Sequence, residues 1–190
     1  MSPRRSARNQ LIEIAEEVLY NRGLTAIGVD VVAQGAGVSE PALYAHFSSK
    51  SELAVTALRH RHHEAARELT EWLAGVERPA DRPLVVFSWL TDRYERKGGR
   101  GRAFPNAAAE VVDPVDPVRE AVREEKQWLR ELLTTLCAQA GTSAPELHAS
   151  QLLVLVDGVA GRVVVEGPRA AARAVADAAD TAAVLLAGTP

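Results

Sequence analysis

Four residues, Ala36-Gly37-Val38-Ser39, divide two apolar segments, Val29 to Gly35 and Glu40 to Phe47, each too short to stand alone. Gly37 can take the left-handed backbone that a sharp turn between helices requires, Val38 can plug the angle, and Ser39 can cap the helix that follows. Pro41 falls in that helix's first turn, where a missing N–H costs nothing. Helices of about two turns do not persist alone in water, so Ala33, Val38, Leu43 and Phe47 must pack on a neighbour. The neighbour lies upstream. Leu11, Ile14, Ala15, Val18 and Leu19 line one side of a segment from Arg8 to Asn21, with Glu13, Glu16 and Glu17 opposite and Gly23 placed to end it. The pattern predicts a three-helix helix-turn-helix unit.

The rest of the chain keeps the helical period, and no alternating run bounded by hairpin turns occurs, so an all-α protein of about nine helices is expected. Ser49 or Ser48 caps a long fourth helix from Lys50 to Val76, with Glu52 in its first turn and an inward stripe of Val55, Leu58, His62, Ala65, Leu69, Trp72 and Val76. After a break at Glu77 to Pro83, Leu84 to Arg96 is apolar nearly all round, as befits a helix in the middle of a domain. A short helix over Asn106 to Val112 follows Pro105. Asp116 and Pro117 open a seventh, with Val118, Val122, Glu125, Leu129, Leu132 and Leu136 inward and Gly141 closing it. Ser143 and Glu146 form a capping-box pattern for a helix to Glu166, and Gly167-Pro168 starts a last one ending near Ala187. The expected division is a helix-turn-helix domain over 1–50 and a helical C-terminal domain over 51–190.

With 47% apolar and 25% charged residues the chain can bury a core. A single cysteine, Cys137, forms no internal disulfide, and no Cys/His spacing matches a structural zinc site. No signal-peptide pattern opens the chain, and its most apolar stretch, Leu152 to Val165, carries Asp157 and Arg162 and falls short of the ~20 residues that cross a bilayer. A cytoplasmic protein with no membrane partner is expected. The net charge of −3 argues by itself against nucleic acid, yet residues 1–50 balance five basic against five acidic side chains, with the cations gathered at the two ends. No G-x-S-x-G, Gly-rich phosphate loop or H-E-x-x-H occurs, so neither an enzyme nor a cofactor is expected. His60 and His63 face away from His62 on a helix, with only Glu64 at ligand spacing, and no metal site is expected.

The stretches I-A-E-E-V-L-Y-N-R-G-L, from Ile14 to Leu24, and V-V-A-Q-G-A-G-V-S-E-P-A-L-Y-A-H-F-S-S-K-S-E-L, from Val31 to Leu53, resemble the TetR family of one-component bacterial regulators. F-P-N-A-A-A-E, from Phe104, and D-P-V-R, from Asp116, look like the effector domain of one branch of it. The resemblance implies a homodimeric repressor on a double-stranded, palindromic DNA operator, released by a small, largely apolar effector. The alternatives are an activator, a regulator without a ligand, or a helical ligand- or metal-binding protein that does not bind DNA. It also implies that Ser39, Tyr44, His46 and Lys50 meet the DNA backbone while Glu40, Pro41, Ala42 and Ala45 lie near base edges. Gly28 and Ala42 depart from the family pattern, standing where Ser or Thr and Thr are usual. Tyr44 and Phe47 can also be read as core aromatics, and Arg4, Arg5 and Arg8 either as a minor-groove arm or as a plain tail.

For an effector site, His62 and Glu125 stand out as polar residues on apolar stripes, open either to a ligand's polar atoms or to internal hydrogen bonds. Leu58, Phe87, Trp89, Leu90, Phe104, Asn106, Glu110 and Trp128 are candidates for the cavity wall. On the last two helices, Leu152, Leu155, Val156, Val159, Val163, Val175, Ala179, Ala182 and Leu186 offer more apolar surface than one lean layer hides, with small residues between. A four-helix dimer interface is expected there, the alternative being intramolecular core.

Overall fold

The computed structural model describes residues 6–25, 27–97 and 103–188. Among them are nine α-helices and no strand: α1 (Ala7–Arg22), α2 (Val29–Gly35), α3 (Glu40–Tyr44), α4 (Lys50–Ala74), α5 (Arg82–Lys97), α6 (Ala103–Glu110), α7 (Pro117–Gln139), α8 (Pro145–Glu166) and α9 (Ala171–Ala187). Single turns of 3₁₀-helix over Pro79–Asp81 and Pro168–Ala170 lead into α5 and α9.

The chain forms two compact units, one of residues 1–64 with 102–124 and the other of 65–101 with 125–190. It crosses between them three times: inside α4, between α5 and α6, and inside α7. Compactness therefore does not divide at residue 50: the first half of α4, α6 and the start of α7 belong with the helix-turn-helix.

In the first unit, Leu11, Ile12, Ala15 and Leu19 of α1 close on Val32 and Ala33 of α2, Leu43, Phe47, and Leu53, Ala57 and Leu58 of α4. Ala107 of α6 and Val118 and Ala121 of α7 complete this core. Ser6 caps α1, its Oγ accepting the Asn9 N–H, and the Gly23 N–H returns to the Leu19 carbonyl from a backbone at φ +84°. Gly37, at φ +67°, makes the sharp turn, and the Val38 N–H closes it on the Ala33 carbonyl at 3.0 Å. Ser49 Oγ accepts the Glu52 N–H, while the Glu52 carboxylate reaches back to the Ser48 N–H and hydroxyl at 2.7 and 2.6 Å. Both serines expected at this cap thus take part, and the two hydrogen bonds from Ser48 hold the Glu52 carboxyl below its usual range.

In the second unit, Phe87, Trp89, Leu90 and Tyr94 of α5 pack with Leu129, Leu133 and Leu136 of α7, Leu152, Val156, Val159 and Val163 of α8, and Ala174, Val175, Ala178 and Ala182 of α9. Alanines at the buried positions of α9 let it lie close to its neighbours. By length and composition α8 is the one helix among the described residues apolar enough to cross a membrane. Its inward side is committed to this core, Asp157 meets Lys126 at 2.6 Å, and Arg162 pairs with Glu166 and Asp177.

Besides small differences such as α4 stopping at Ala74 rather than Val76 and α6 at Glu110 rather than Val112, three helix ends depart from the sequence expectation for a local reason. Backbone after α3 tightens, with the His46 and Phe47 N–H groups both on the Leu43 carbonyl, so the regular helix stops at Tyr44. In α6 Pro105 is the third residue rather than the residue before the helix, which the unpaired N–H groups of a first turn permit. Ser143 does not cap α8. The helix starts at Pro145 with no side-chain cap, the ring presetting the first helical φ.

Candidate functional site

The local geometry of α3 sorts its side chains cleanly. Leu43 and Phe47, fully buried and 1% exposed, fasten it to the core, whereas Tyr44 is 50% exposed. Tyr44 is not a core aromatic; Phe47 is. Ser39 Oγ accepts the Ala42 N–H at 3.3 Å and fixes the helix start. Glu40, Pro41, Ala45 and His46 are exposed and Ala42 is half-buried. A short, anchored helix thus presents one tyrosine, one histidine, one carboxylate and a floor of small residues to solvent. Gly28 precedes α2 without any side-chain cap, so this helix lacks the hydroxyl that a Ser or Thr would place there.

Lys50, exposed at the start of α4, donates from Nζ to the Thr25 carbonyl at 3.2 Å. The Arg8 guanidinium stacks 5.1 Å from the centroid of the Phe47 ring, which places it on this unit's surface rather than in a loose tail. Arg4 and Arg5 lie outside the described residues.

Sequence reasoning missed the ionic link that ties α1 to α4. Arg61 Nη1 meets Glu16 Oε1 at 3.1 Å, its guanidinium lies 4.3 Å from the Tyr20 ring centroid, and His60 Nδ1 is 2.9 Å from Glu16 Oε2. Arg61 sits among Ala57, Leu58 and Ala65 on the inward stripe of α4, and that irregularity was the available signal.

Of the candidate effector residues, the first unit holds Leu58, His62, Phe104, Asn106 and Glu110. Leu58 is fully buried, Phe104 packs against the core, and Asn106 is exposed. His62 is half-buried; burial first, then the neighbouring His63, lowers its pKa, with Glu124 opposing. Glu110 is hydrogen-bonded to the corner between α1 and α2: its carboxylate accepts from the Leu24 N–H at 3.2 Å and from the Thr25 N–H and hydroxyl at 2.7 and 2.6 Å. The carboxylate thereby satisfies open donors of the α1–α2 corner.

The second unit holds Phe87, Trp89, Leu90, Trp128 and Glu125. The first three are core residues, and Trp128 packs against them half-buried. Glu125 is mostly buried, with Lys126 Nζ 3.7 Å from Oε2, an oxygen that accepts no hydrogen bond. Burial drives its pKa up against Lys126, with Asp157 adding to the rise. Trp89 Nε1 is likewise buried without an acceptor, while the Trp89 ring receives the Arg93 guanidinium at 5.2 Å. Arg93 in turn meets Glu68 at 2.6 Å. Buried polar atoms without partners are uncommon in folded proteins.

The residues expected to face a second protomer divide between buried and half-buried positions. Leu152, Val156, Val159, Val163, Val175 and Ala182 are buried in the protomer's own core, and Leu155, Ala179 and Leu186 pack half-buried against it. A helix's dominant apolar stripe turns toward whatever the chain itself supplies, here the helices of the same unit. A second face of α8 stays open: Val154 is 68% and Val165 85% exposed, and a Cβ added at Gly158 or Gly161 would meet nothing within 4 Å. At about 100° per residue these four positions form a single stripe.

Residues 11–57 match the family described as bacterial regulatory proteins, tetR family. Over 167 residues, 82% of this chain and 79% of the other, the chain is 42% identical to the Probable HTH-type transcriptional regulator ArpR of Pseudomonas putida. It is 52% identical over 57 residues to the HTH-type transcriptional activator FasR of Mycolicibacterium smegmatis, a match that spans only 26% of that protein. The fold superposes on the crystal structure of a TetR-family transcriptional regulator from Streptomyces coelicolor with a TM-score of 0.86 and 27% identity, covering 95% of this chain and 89% of that one.

Proposed function

This chain belongs to the TetR family of bacterial regulatory proteins, and from that premise we propose a homodimeric repressor that holds a palindromic operator and leaves it when a small, largely apolar effector binds its C-terminal helices. The observation that carries the reading is the sorting of α3: everything that anchors the helix is buried, while Tyr44 projects half-exposed beside His46, with Lys50 at the head of the next helix. In a helix-turn-helix the second helix enters the major groove and its flanks grip phosphates. Ser39, Tyr44, His46 and Lys50 serve the backbone in this reading; Glu40, Pro41, Ala42 and Ala45 lie toward base edges. Glu40 can accept from a cytosine N4 amino group.

Two copies meet along the open face of α8, where Val154 and Val165 bury against a partner and Gly158 and Gly161 allow close approach. Trp89, Trp128 and Glu125 are the effector-contacting residues of the second unit; Trp89 Nε1 and Glu125 Oε2 have unmet hydrogen-bonding capacity that a ligand's polar atoms would use. Effector binding favours the head spacing that does not fit the operator, and the population shifts.

Binding of the full chain to a duplex from its own upstream region, followed by fluorescence anisotropy between 50 and 200 mM salt, tests the reading. Affinity falls steeply with salt, and replacing Tyr44 and Lys50 together by Ala abolishes binding while the helical circular dichroism is unchanged. A flat salt dependence, or loss of folding in that variant, refutes it. FasR is an activator by name, and its match covers 57 residues of this chain. Deleting this protein's gene raises transcription from the operator-bearing promoter if it is a repressor and lowers it if an activator.

A further inference from the structure

Glu110 of α6 lies in the same compact unit as the helix-turn-helix. We propose that Glu110 is a positioning residue for DNA binding, which sets the α1–α2 corner and, through the Thr25 carbonyl, holds the Lys50 ammonium where it meets a phosphate. The inference rests on the reading of Lys50 as a phosphate contact given above.

Glu110 and Thr25 are 85 residues apart in sequence, and they are joined by two hydrogen bonds of 2.7 and 2.6 Å on one carboxylate oxygen. The other oxygen takes the Leu24 N–H at 3.2 Å. Three donors from two successive residues thus converge on a single side chain, which holds the Thr25 N–H and the Thr25 side chain, the groups on either side of the Thr25 Cα that carries the carbonyl. Lys50 Nζ donates to that carbonyl at 3.2 Å. A lysine side chain has four rotatable bonds and gives up much rotamer freedom when it is held. Here the holding is done before DNA arrives, by a residue outside the segment that carries the helix-turn-helix.

Two further features fit. Gly23 lies so close to the carboxylate that a Cβ there would stand 2.5 Å from Glu110 Oε1, so the corner is shaped around this side chain. Burial raises the Glu110 carboxyl, but the Thr25 donors, the Leu24 N–H and the Lys50 charge outweigh it and leave the group below its usual range, ionised at neutral pH. The carboxylate does not touch Lys50 directly; its effect passes through a backbone carbonyl.

The full-length chain and an operator duplex test this in a double-mutant cycle of Glu110→Ala, Lys50→Ala and the pair, with Glu110→Gln as the near-isosteric variant. Anisotropy titrations over a salt series give affinity and the slope of log affinity against log salt. Lys50→Ala lowers that slope by about 0.9 per protomer and weakens binding about tenfold. Glu110→Ala reproduces most of both changes with the helical signal intact, the double variant binds no more than about twofold weaker than Lys50→Ala, and Glu110→Gln falls between wild type and Glu110→Ala. If Glu110→Ala does not fold, Glu110→Gln alone must show the lowered slope. Wild-type or tighter binding by Glu110→Ala overturns the proposal. So does a loss that adds fully to that of Lys50→Ala with the salt slope unchanged, which marks a general structural role. A Lys50→Ala variant with unchanged affinity and slope removes the phosphate contact itself, and the positioning role with it.

Discussion

Replacing Arg61 by Ala strikes the buried link that fixes α1 on α4. The Arg61 side chain is 8% exposed and that of its partner Glu16 is 16% exposed, so the pair is largely out of water. Removing one member of a buried pair costs about 3–5 kcal/mol, because the other charge is left without compensation. Glu16 keeps His60 at 2.9 Å and some solvent, which brings the figure to the lower end, about 3 kcal/mol. Losing the guanidinium over the Tyr20 ring adds about 1 kcal/mol, for a total near 4. Replacing both members, as Glu16→Gln with Arg61→Met, leaves no stranded charge and stays within about 1 kcal/mol of wild type. Urea unfolding followed by far-ultraviolet circular dichroism at fixed protomer concentration measures all three variants. A loss below about 1 kcal/mol for Arg61→Ala, or a double variant as unstable as the sum of the single changes, refutes the pairing argument.

Two further outcomes follow from the second unit. Glu125 has a folded-state pKa above its unfolded value, so the unfolded chain releases this proton first as pH rises, and stability falls between the two values and stays penalised above them. Glu125→Gln therefore raises the melting temperature at pH 7, and the gain shrinks toward about pH 3, where the carboxyl is protonated in both states; a gain that does not depend on pH contradicts this. Val154→Asp with Val165→Asp puts charges on the open face of α8 and gives a folded monomer by sedimentation velocity, whereas an unchanged dimer moves the interface elsewhere.

How far the sequence is readable depends on whether the relevant interaction is local. The turn at Gly37, the Ser39 cap and the burial of Leu43 and Phe47 are decided within a few residues, and all are visible as spacing. The start of α6 two residues before Pro105 leaves no mark in the sequence, because proline is as welcome within a first turn as ahead of it. Long-range partners leave no periodic trace: nothing near Glu110 signals that Leu24 and Thr25 supply its donors, and nothing near Arg61 names Glu16 and Tyr20. The two faces of α8 show a related ambiguity. Both are apolar, and only packing decides that Leu152, Val156 and Val159 turn inward while Val154 and Val165 remain outside.

The most direct test is selection of bound duplexes from a random pool by the full-length protein, followed by sequencing. A symmetric pair of heads enriches an inverted repeat whose half-site centres are separated by about one helical turn or a multiple of it, and the enrichment disappears when Tyr44 and Lys50 are replaced by Ala. A single unrepeated motif, or no enrichment over the input pool, would contradict a paired DNA reader.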